Sequence, residues 1–360
     1  MKIILANPRG FCAGVHMAID VVDQVLELYP GRTVYVFHEI VHNKHVVKRF
    51  VNRGVVFVED LAEVPEGSIV VFSAHGVSPA VRELATARNL TAVDATCPLV
   101  TKVHNEAIRY AKQGYDILLV GHADHQEVVG TLGEAPQAIQ VVESPDDIPN
   151  LKIKDRGRIA YLTQTTLSTD DAGVIIDALR GEFPNLKEPP SSDICYATTN
   201  RQAAVRQIAP ECDLVLVVGS KNSSNSVRLT EISANVGVPA FLLDDVSELR
   251  EEWFSHIAGG PSNATVMVTA GASAPEDLVA ELCRTLLKRY DSNRAPNAPH
   301  GIEQRDVFTE DEEFGLPATL KKLMREEGID PESRRIRVGS YDLTEELYGA
   351  VPLTVGGRPA

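Results

Sequence analysis

The chain has 360 residues, 44% of them hydrophobic and 24% charged, with 50 acids against 35 bases for a formal net charge of −15. That composition excludes a collagen, a disordered activator and a disulfide-stapled mini-domain, and it leaves room for two or three compact units. The acidic balance repels a phosphate backbone, and no apolar run reaches the ~18–20 residues a membrane helix needs, so neither nucleic acid nor membrane is an expected partner. Only the short apolar run 3–6 precedes Asn7-Pro8, too little for a signal segment, so the expected location is cytoplasmic.

In chain order, a short strand at 3–6 leads through Asn7-Pro8-Arg9-Gly10 to Cys12. A helix follows, with Val15, Ile19, Val22, Val25 and Leu26 at helical period. Strand 34–37 then runs into His42-Asn43, and strand 69–72 into Ser73-Ala74-His75-Gly76. The second round starts at Cys97, where Pro98 suits the first helical position and Val100, Val103, Ala107 and Tyr110 make the stripe. Strand 117–120 leads to His122, Asp124, His125 and Glu127, and strand 159–162 to Thr163-Gln164-Thr165-Thr166. The third round starts at Cys195, where Thr198 or Thr199 would cap a helix carrying Val205, Ile208 and Ala209. Strand 214–218 leads to Lys221, Ser223, Ser224 and Asn225, and strand 266–268 to a loop with Ser273. The helix 276–290 closes this part.

Strands alternating with amphipathic helices read as α/β with parallel sheets. One unit, a cysteine helix followed by two strand-and-polar-loop pairs, is used three times at a period of about 90 residues. Ligands of open α/β sheets bind beyond the carboxyl ends of the strands. Three such units around a pseudo-threefold axis bring three cysteines and a ring of His, Thr, Ser and Asn to one centre.

The five cysteines are widely spread and form no C-x-x-C, which argues against a disulfide framework and against a zinc ribbon. Cys283, on an apolar helix stripe, and Cys212, beside a buried strand, read as core residues. Cys12, Cys97 and Cys195 each precede a helix, where the dipole and free amides favour a thiolate. Three thiolates at one point are a soft-ligand site. Zinc with an open position is one occupant; an iron–sulfur cluster is favoured, since no local pair of ligands pre-forms a zinc site. A cubane on three cysteines leaves one iron open as a Lewis acid and delivers electrons, so reductive chemistry on an oxygenated substrate is expected. The hydroxyls, amides and imidazoles at helix N-termini suit a phosphate or diphosphate. Glu127, shielded from water, would hold a raised pKa and donate protons; on a solvated loop it would be an ordinary surface acid. The remaining histidines, His16, His38, His45, His104, His122, His256 and His300, read as ordinary ones, with His122 near enough to support His125.

These residues resemble the LytB/IspH family, the 4-hydroxy-3-methylbut-2-enyl diphosphate reductases that end the non-mevalonate isoprenoid pathway. The stretches that carry the resemblance are 5–14 (LANPRGFCAG), 72–77 (FSAHGV), 94–104 (DATCPLVTKVH), 163–168 (TQTTLS), 193–201 (DICYATTNR), 218–226 (VGSKNSSNS) and 269–275 (TAGASAP). The resemblance implies three α/β modules around one 4Fe–4S cluster, which a crystal would retain as 3Fe–4S once the labile iron is lost. On that plan the modules are 14–97, 98–194, and 1–13 with 195–290, followed by a linker and C-terminal extension at 291–360 of no assigned role. The implied cluster ligands are Cys12, Cys97 and Cys195. The implied diphosphate contacts are His42, His75, His125, Ser223, Ser224, Asn225 and Ser273. Thr165 is implied beside the substrate hydroxyl and Glu127 as proton donor. The implied reaction uses two electrons and two protons, loses water, and gives isopentenyl and dimethylallyl diphosphate. A reduced flavodoxin or ferredoxin is the implied donor, and the protein is expected as a monomer or homodimer.

Two departures stand out. Gln126 replaces the family's usual proline and is expected to hold Glu127 less rigidly. The family normally stops near residue 315–320 on this scale, whereas here an acidic stretch at 303–313 and a short helix around Leu316, Leu320, Leu323 and Met324, ended by Gly328, continue to residue 360. Competing readings are a non-catalytic iron–sulfur sensor, another three-cysteine cluster enzyme such as a quinolinate-synthase-like dehydratase, and a zinc hydrolase using Glu127.

Overall fold

Runs of Val, Ile and Leu with no polar interruption are too apolar for a half-exposed strand and belong in parallel sheets covered on both faces. The computed structural model describes residues 1–291, 301–334, 348 and 353–356. The chain opens with β1 (Lys2–Asn7), α1 (Ala13–Leu28), β2 (Val34–Phe37), α2 (Lys44–Val51), β3 (Val56–Val58), β4 (Ile69–Phe72), α3 (Pro79–Ala87) and β5 (Thr91–Asp94). It continues with α4 (Pro98–Lys112), β6 (Asp116–Val120), α5 (Gln126–Glu134), β7 (Ile139–Val142), β8 (Ile159–Thr163) and α6 (Thr169–Glu182). The third stretch holds α7 (Tyr196–Ile208), β9 (Leu214–Val218), α8 (Ser224–Asn235), β10 (Ala240–Leu243), β11 (Thr265–Ala270) and α9 (Glu276–Tyr290). Last come β12 (Gly301–Asp306), α10 (Ala318–Glu326) and β13 (Leu353–Gly356).

The strands form three sheets, ordered β10-β9-β11-β1-β12-β13, β3-β2-β4-β5 and β7-β6-β8. All the named pairings are parallel. A pair of adjacent strands recurs in each sheet (β9 with β11, β2 with β4, β6 with β8), and these are the pairs whose exit loops the sequence marks as polar. β9 shows why the runs are unbroken: Leu214, Leu216 and Val218 enter one core with α9, while Val215 and Val217 enter another with Val205 and Ile208 of α7.

Each cysteine helix packs on a different sheet from the strand before it. Cys12 follows β1 of the six-stranded sheet, yet Val21, Val22 and Val25 of α1 share a core with Val34, Val36 and Val71 of the second sheet. Cys97 follows β5 of the second sheet, and Val103, Ala107 and Tyr110 of α4 pack with Ile117 and Leu119 of the third. Cys195 follows a segment that bridges β8 at Lys187, and α7 packs on the six-stranded sheet. The three cysteines therefore mark the three junctions between sheets.

The stretch read as linker and extension needs correction. Residues 301–306 form β12, paired with β1 from Lys2↔Gly301 to Asn7↔Asp306, and β13 pairs with β12 in turn. Charge disguised the strand: Glu303 pairs with Lys2, and Arg305 with Glu303 and Glu211, so its acids are neutralised at the sheet. The helix expected near 316–324 is α10, whose Leu320 and Met324 are buried in the core of the second sheet, and Gly328 follows it at φ 74°. The expected linker residues 292–300, His300 among them, and the stretches 335–347, 349–352 and 357–360 lie outside the described residues.

Arg9, fully buried in the loop before Cys12, ties these late elements to the site. It donates to Glu276 at 2.6 Å, to the Ala6 carbonyl at 3.0 Å and to Gln304 at 3.3 Å, while Tyr348 donates to Glu276. Removing one partner of a buried ion pair leaves the other charge uncompensated. Arg9→Met is expected to cost roughly 3–5 kcal/mol of stability, read as a lower guanidinium midpoint; an unchanged midpoint contradicts that role.

Candidate active site

Cys12, Cys97 and Cys195 occupy the N-cap positions of α1, α4 and α7. The amide of each donates to a carbonyl in the polar loop of the adjacent strand: Cys12 to Ala272 at 3.3 Å, Cys97 to Ala74 at 3.0 Å, Cys195 to Thr165 at 3.0 Å. The same loops carry Ser273, His75 and Thr165. One backbone bond per junction thus sets each thiol beside a polar side chain, three times over. The three cysteines, Glu127, Thr165 and the seven residues expected around a diphosphate all line one cavity with about 750 Å³ of empty space, mouth included.

The sulfurs border a gap kept clear by glycine. A Cβ on Gly14 would stand 2.6 Å from Cys97 Sγ and 3.9 Å from Cys12 Sγ. Among the described residues no three His, Cys, Asp or Glu side chains close on a single metal ion. The expectation of helix-stabilised thiolates needs correction. Burial raises the Cys12 thiol, against the pull of Arg201 and the Val15 and Gly14 amides. Burial and then Cys12 raise Cys97, and the same two causes raise Cys195 to about 11. Desolvation in this dry centre outweighs the helix start, so the thiols are neutral until a cation takes their protons' place.

Glu127 is 2% exposed, in the first turn of α5. Its Oε1 accepts from the Thr165 amide at 2.6 Å and its Oε2 from Thr165 Oγ1 at 3.0 Å. Burial lifts its pKa from 4.5 to about 7, with the two Thr165 bonds opposing and Asp193 adding to the rise. The surface-acid reading is thereby excluded. Gln126 does not leave Glu127 loose: the Glu127 amide donates to His125 Nδ1 at 3.2 Å, and Thr165 grips the carboxyl.

Three imidazoles line the same cavity as the acid. His42 stacks on His75 with centroids 4.0 Å apart, and His125 sits edge-on at 5.5 Å from His42 and 6.0 Å from His75. Burial, then mutual repulsion, holds His75 well below the ordinary range and His125 at about 4. Neutral rings donate hydrogen bonds without a charge to be desolvated. His125 and Ser223 cap α5 and α8, so two helix N-termini face the cavity, a ready anion site. Ser273 Oγ donates to the His42 carbonyl at 2.9 Å, Ser224 Oγ to the Thr166 carbonyl at 3.0 Å, and Asn225 accepts from the Ala272 amide at 2.9 Å.

Some groups were missed or misread. Thr198 is more than a helix cap: its hydroxyl lies 3.2 Å from Cys195 Sγ and accepts from Asn225 at 3.1 Å, joining a thiol to the polar ring. Buried Asp193 accepts from the Thr163 amide and from Lys102, both near 3 Å, and was legible only as part of a motif. Arg201, fully buried, donates to the Gly10 carbonyl at 2.9 Å and pairs with Glu310 at 3.0 Å. That pair lies four residues before Phe314, which lines the cavity wall and gave no signal inside an apparently acidic tail. His122 turns to Arg228 at 2.7 Å, and Lys221 is exposed; neither lines the cavity. Cys283 is buried and Cys212 packs beside the core, as expected of both.

The LytB protein family profile matches residues 3–287. A 4-hydroxy-3-methylbut-2-enyl diphosphate reductase of Acidothermus cellulolyticus is 50% identical over 340 residues, 94% of this chain and 95% of that one. One of Rhodococcus jostii is 54% identical, covering 89% and 91%. The 340-residue match also runs past a family limit near residue 320, correcting that expectation. Among solved structures, the E-1-hydroxy-2-methyl-but-2-enyl-4-diphosphate reductase of Plasmodium falciparum superposes with a TM-score of 0.84 at 39% identity, covering 91% of this chain and 99% of that one. A second, titled as the terminal enzyme of the non-mevalonate pathway, gives 0.57 at 31% identity, covering 80% and 99%.

The raised Glu127 pKa has a thermodynamic signature. Between pH 4.5 and about 7 the native state keeps a proton that the unfolded chain has lost, so stability falls as pH rises through this window and levels off above it. In the metal-free protein, Glu127→Gln is expected to remove that slope, gaining on the order of 3 kcal/mol over wild type across the window. Parallel stability–pH curves for the two proteins contradict the raised value.

Proposed function

The chain belongs to the LytB protein family, and from that premise we propose that it reduces 4-hydroxy-3-methylbut-2-enyl diphosphate to isopentenyl and dimethylallyl diphosphate, the terminal step of the non-mevalonate pathway. One observation carries the reading to this chain's own residues: three cysteine caps, a buried carboxyl and an anion-accepting ring share one cavity. Among the described residues no helix is long and apolar enough to cross a membrane.

The donor set fits an iron–sulfur cluster. Three thiols from separate junctions face a gap that Gly14 leaves open and that a single ion would not span. Cys12, Cys97 and Cys195 would hold a 4Fe–4S cluster there. When bound, that group supplies electrons and one Lewis-acid corner without a protein thiolate.

The protein's own part is binding, orientation and proton supply. His42, His75, His125, Ser223, Ser224, Asn225 and Ser273 offer hydrogen-bond donors and two helix N-termini to the diphosphate. That anchor leaves the hydroxyl end near Thr165. With a pKa of about 7, Glu127 still carries a proton at neutral pH and hands it through Thr165 Oγ1 to the departing hydroxyl, which leaves as water. Two electrons and two protons balance the step: one proton leaves in the water and one ends on the allyl carbon skeleton. Burial of the cavity keeps bulk water from the reduced species.

Anaerobically reconstituted protein is expected to convert the hydroxylated diphosphate to both products with dithionite and methyl viologen. Glu127→Gln should keep the visible absorbance and substrate affinity yet lose about 100-fold or more in turnover; wild-type turnover in this variant removes the acid from the mechanism. Cys12→Ser, Cys97→Ser and Cys195→Ser should each fail to retain a full complement of iron and sulfide, while Cys283→Ser retains it. Stoichiometric zinc and hydrolysis without reductant contradict the reading, and a protein that binds the cluster but never turns over is a sensor.

A further inference from the structure

We propose that the outer face of α4, between the Cys97 cap and the loop before Cys195, is the docking surface for an acidic one-electron carrier protein. The proposal rests on the reductase reading above, which requires electrons from outside the chain. Each encounter oxidises the carrier by one electron. Two encounters supply the electrons of one turnover, and the protons come through Glu127 and from water.

The place is chosen by its closeness to two of the three thiols. Cys97 lines the cavity, and Pro98, the next residue, is exposed, so a single Cα step of about 3.8 Å leads from the site to the surface. From Pro98 a stripe of exposed residues, Thr101, Asn105, Arg109 and Lys112, runs along α4 at helical spacing, and the first three border an open hollow. Lys102, on the same side, donates to the carbonyls of Ser191 at 3.0 Å and Ser192 at 2.9 Å. Ser192 is itself exposed and stands three residues before Cys195. The face therefore covers the entry to Cys97 and Cys195 together.

Its charge selects the partner. The whole chain carries −15, yet Arg109 and Lys112 are exposed and make no ion pair among the described residues, and Arg109 lies over the Tyr110 ring at 4.8 Å. Exposed Arg158 reaches the Gln113 carbonyl at 3.3 Å, extending the basic strip beyond the helix end, with Asp155 4.0 Å away. The acids on the inner side, Glu106 and Asp193, are buried and lie within 4.0 Å and 3.0 Å of Lys102. The other approach, beside Cys12, has the opposite sign: its hollow holds Asp20, Glu313 and Glu332, and its single lysine, Lys321, is paired with Glu332 at 3.3 Å. Complementary potentials steer an acidic carrier to the first face and away from the second.

The test uses the anaerobic holoenzyme and a reduced bacterial flavodoxin as probe, with dithionite and methyl viologen as a small reductant that needs no docking. The double variant Arg109→Glu with Lys112→Glu is expected to raise the KM for flavodoxin about ten-fold or more and to weaken its binding in thermophoresis likewise, while viologen-driven turnover is unchanged. The neutral pair Arg109→Gln with Lys112→Gln should give a smaller rise, and added salt should weaken wild-type binding more than that of either variant. An unchanged flavodoxin KM and affinity in the charge-reversed protein overturns the docking face, as does a wild type that turns over with viologen but never with flavodoxin. Absence of turnover with viologen in the wild type instead overturns the reductase reading on which this one stands.

Discussion

Three backbone hydrogen bonds, one from each cap cysteine to a neighbouring strand's exit loop, are what the site depends on. Each bond closes a junction where the chain leaves one sheet and its next helix packs on another. Because the helix after the cysteine belongs to the next sheet, the three sheets enclose a common centre, and every junction points its cap inward. A parallel sheet places its ligand-facing loops at the carboxyl ends of the strands, so the polar residues arrive on the same side as the thiols. The late strands and Arg9 support this arrangement from outside: β12 lies beside β1, and Arg9 holds Glu276 and Gln304 under the loop that carries Cys12.

Burial then decides the chemistry of each group. It outweighs the helix dipoles at the thiols, which stay protonated, and it keeps His75 and His125 neutral. It also lifts Glu127 to the pH at which a carboxyl both holds and releases a proton. The same desolvation thus places two uncharged imidazoles and a proton-holding carboxyl in one cavity. The buried cations Arg9 and Arg201 are paired with Glu276 and Glu310, and the exposed Arg109 and Lys112 stand outside the Cys97 cap.

Much of this was legible in the chain. The strands around 214–218 and 69–72 announced themselves as unbroken apolar runs, and the recurrence of a cysteine followed by two polar loops marked the threefold plan. The residues bearing chemistry were found because thiols, imidazoles and hydroxyls at loop-to-helix junctions are uncommon together. What stayed hidden was set by tertiary contact. The acids of β12 looked like a solvated tail because their partners, Lys2 and Glu211's neighbour Arg305, are distant in sequence or themselves lie in that tail. Phe314 lines the cavity four residues after Glu310, whose partner Arg201 is distant in sequence. The thiolate expectation failed because a helix start is visible in a sequence and its desolvation is not.

The central claim is that the three caps hold one shared cluster with a corner free of thiolate. Mössbauer spectroscopy of the anaerobically reconstituted, iron-57-labelled protein, read alongside iron and sulfide analysis, tests it most directly. The account predicts about four irons per chain with one iron resolved from the other three and perturbed by added substrate. A signal without inorganic sulfide, or four equivalent irons indifferent to substrate, contradicts it.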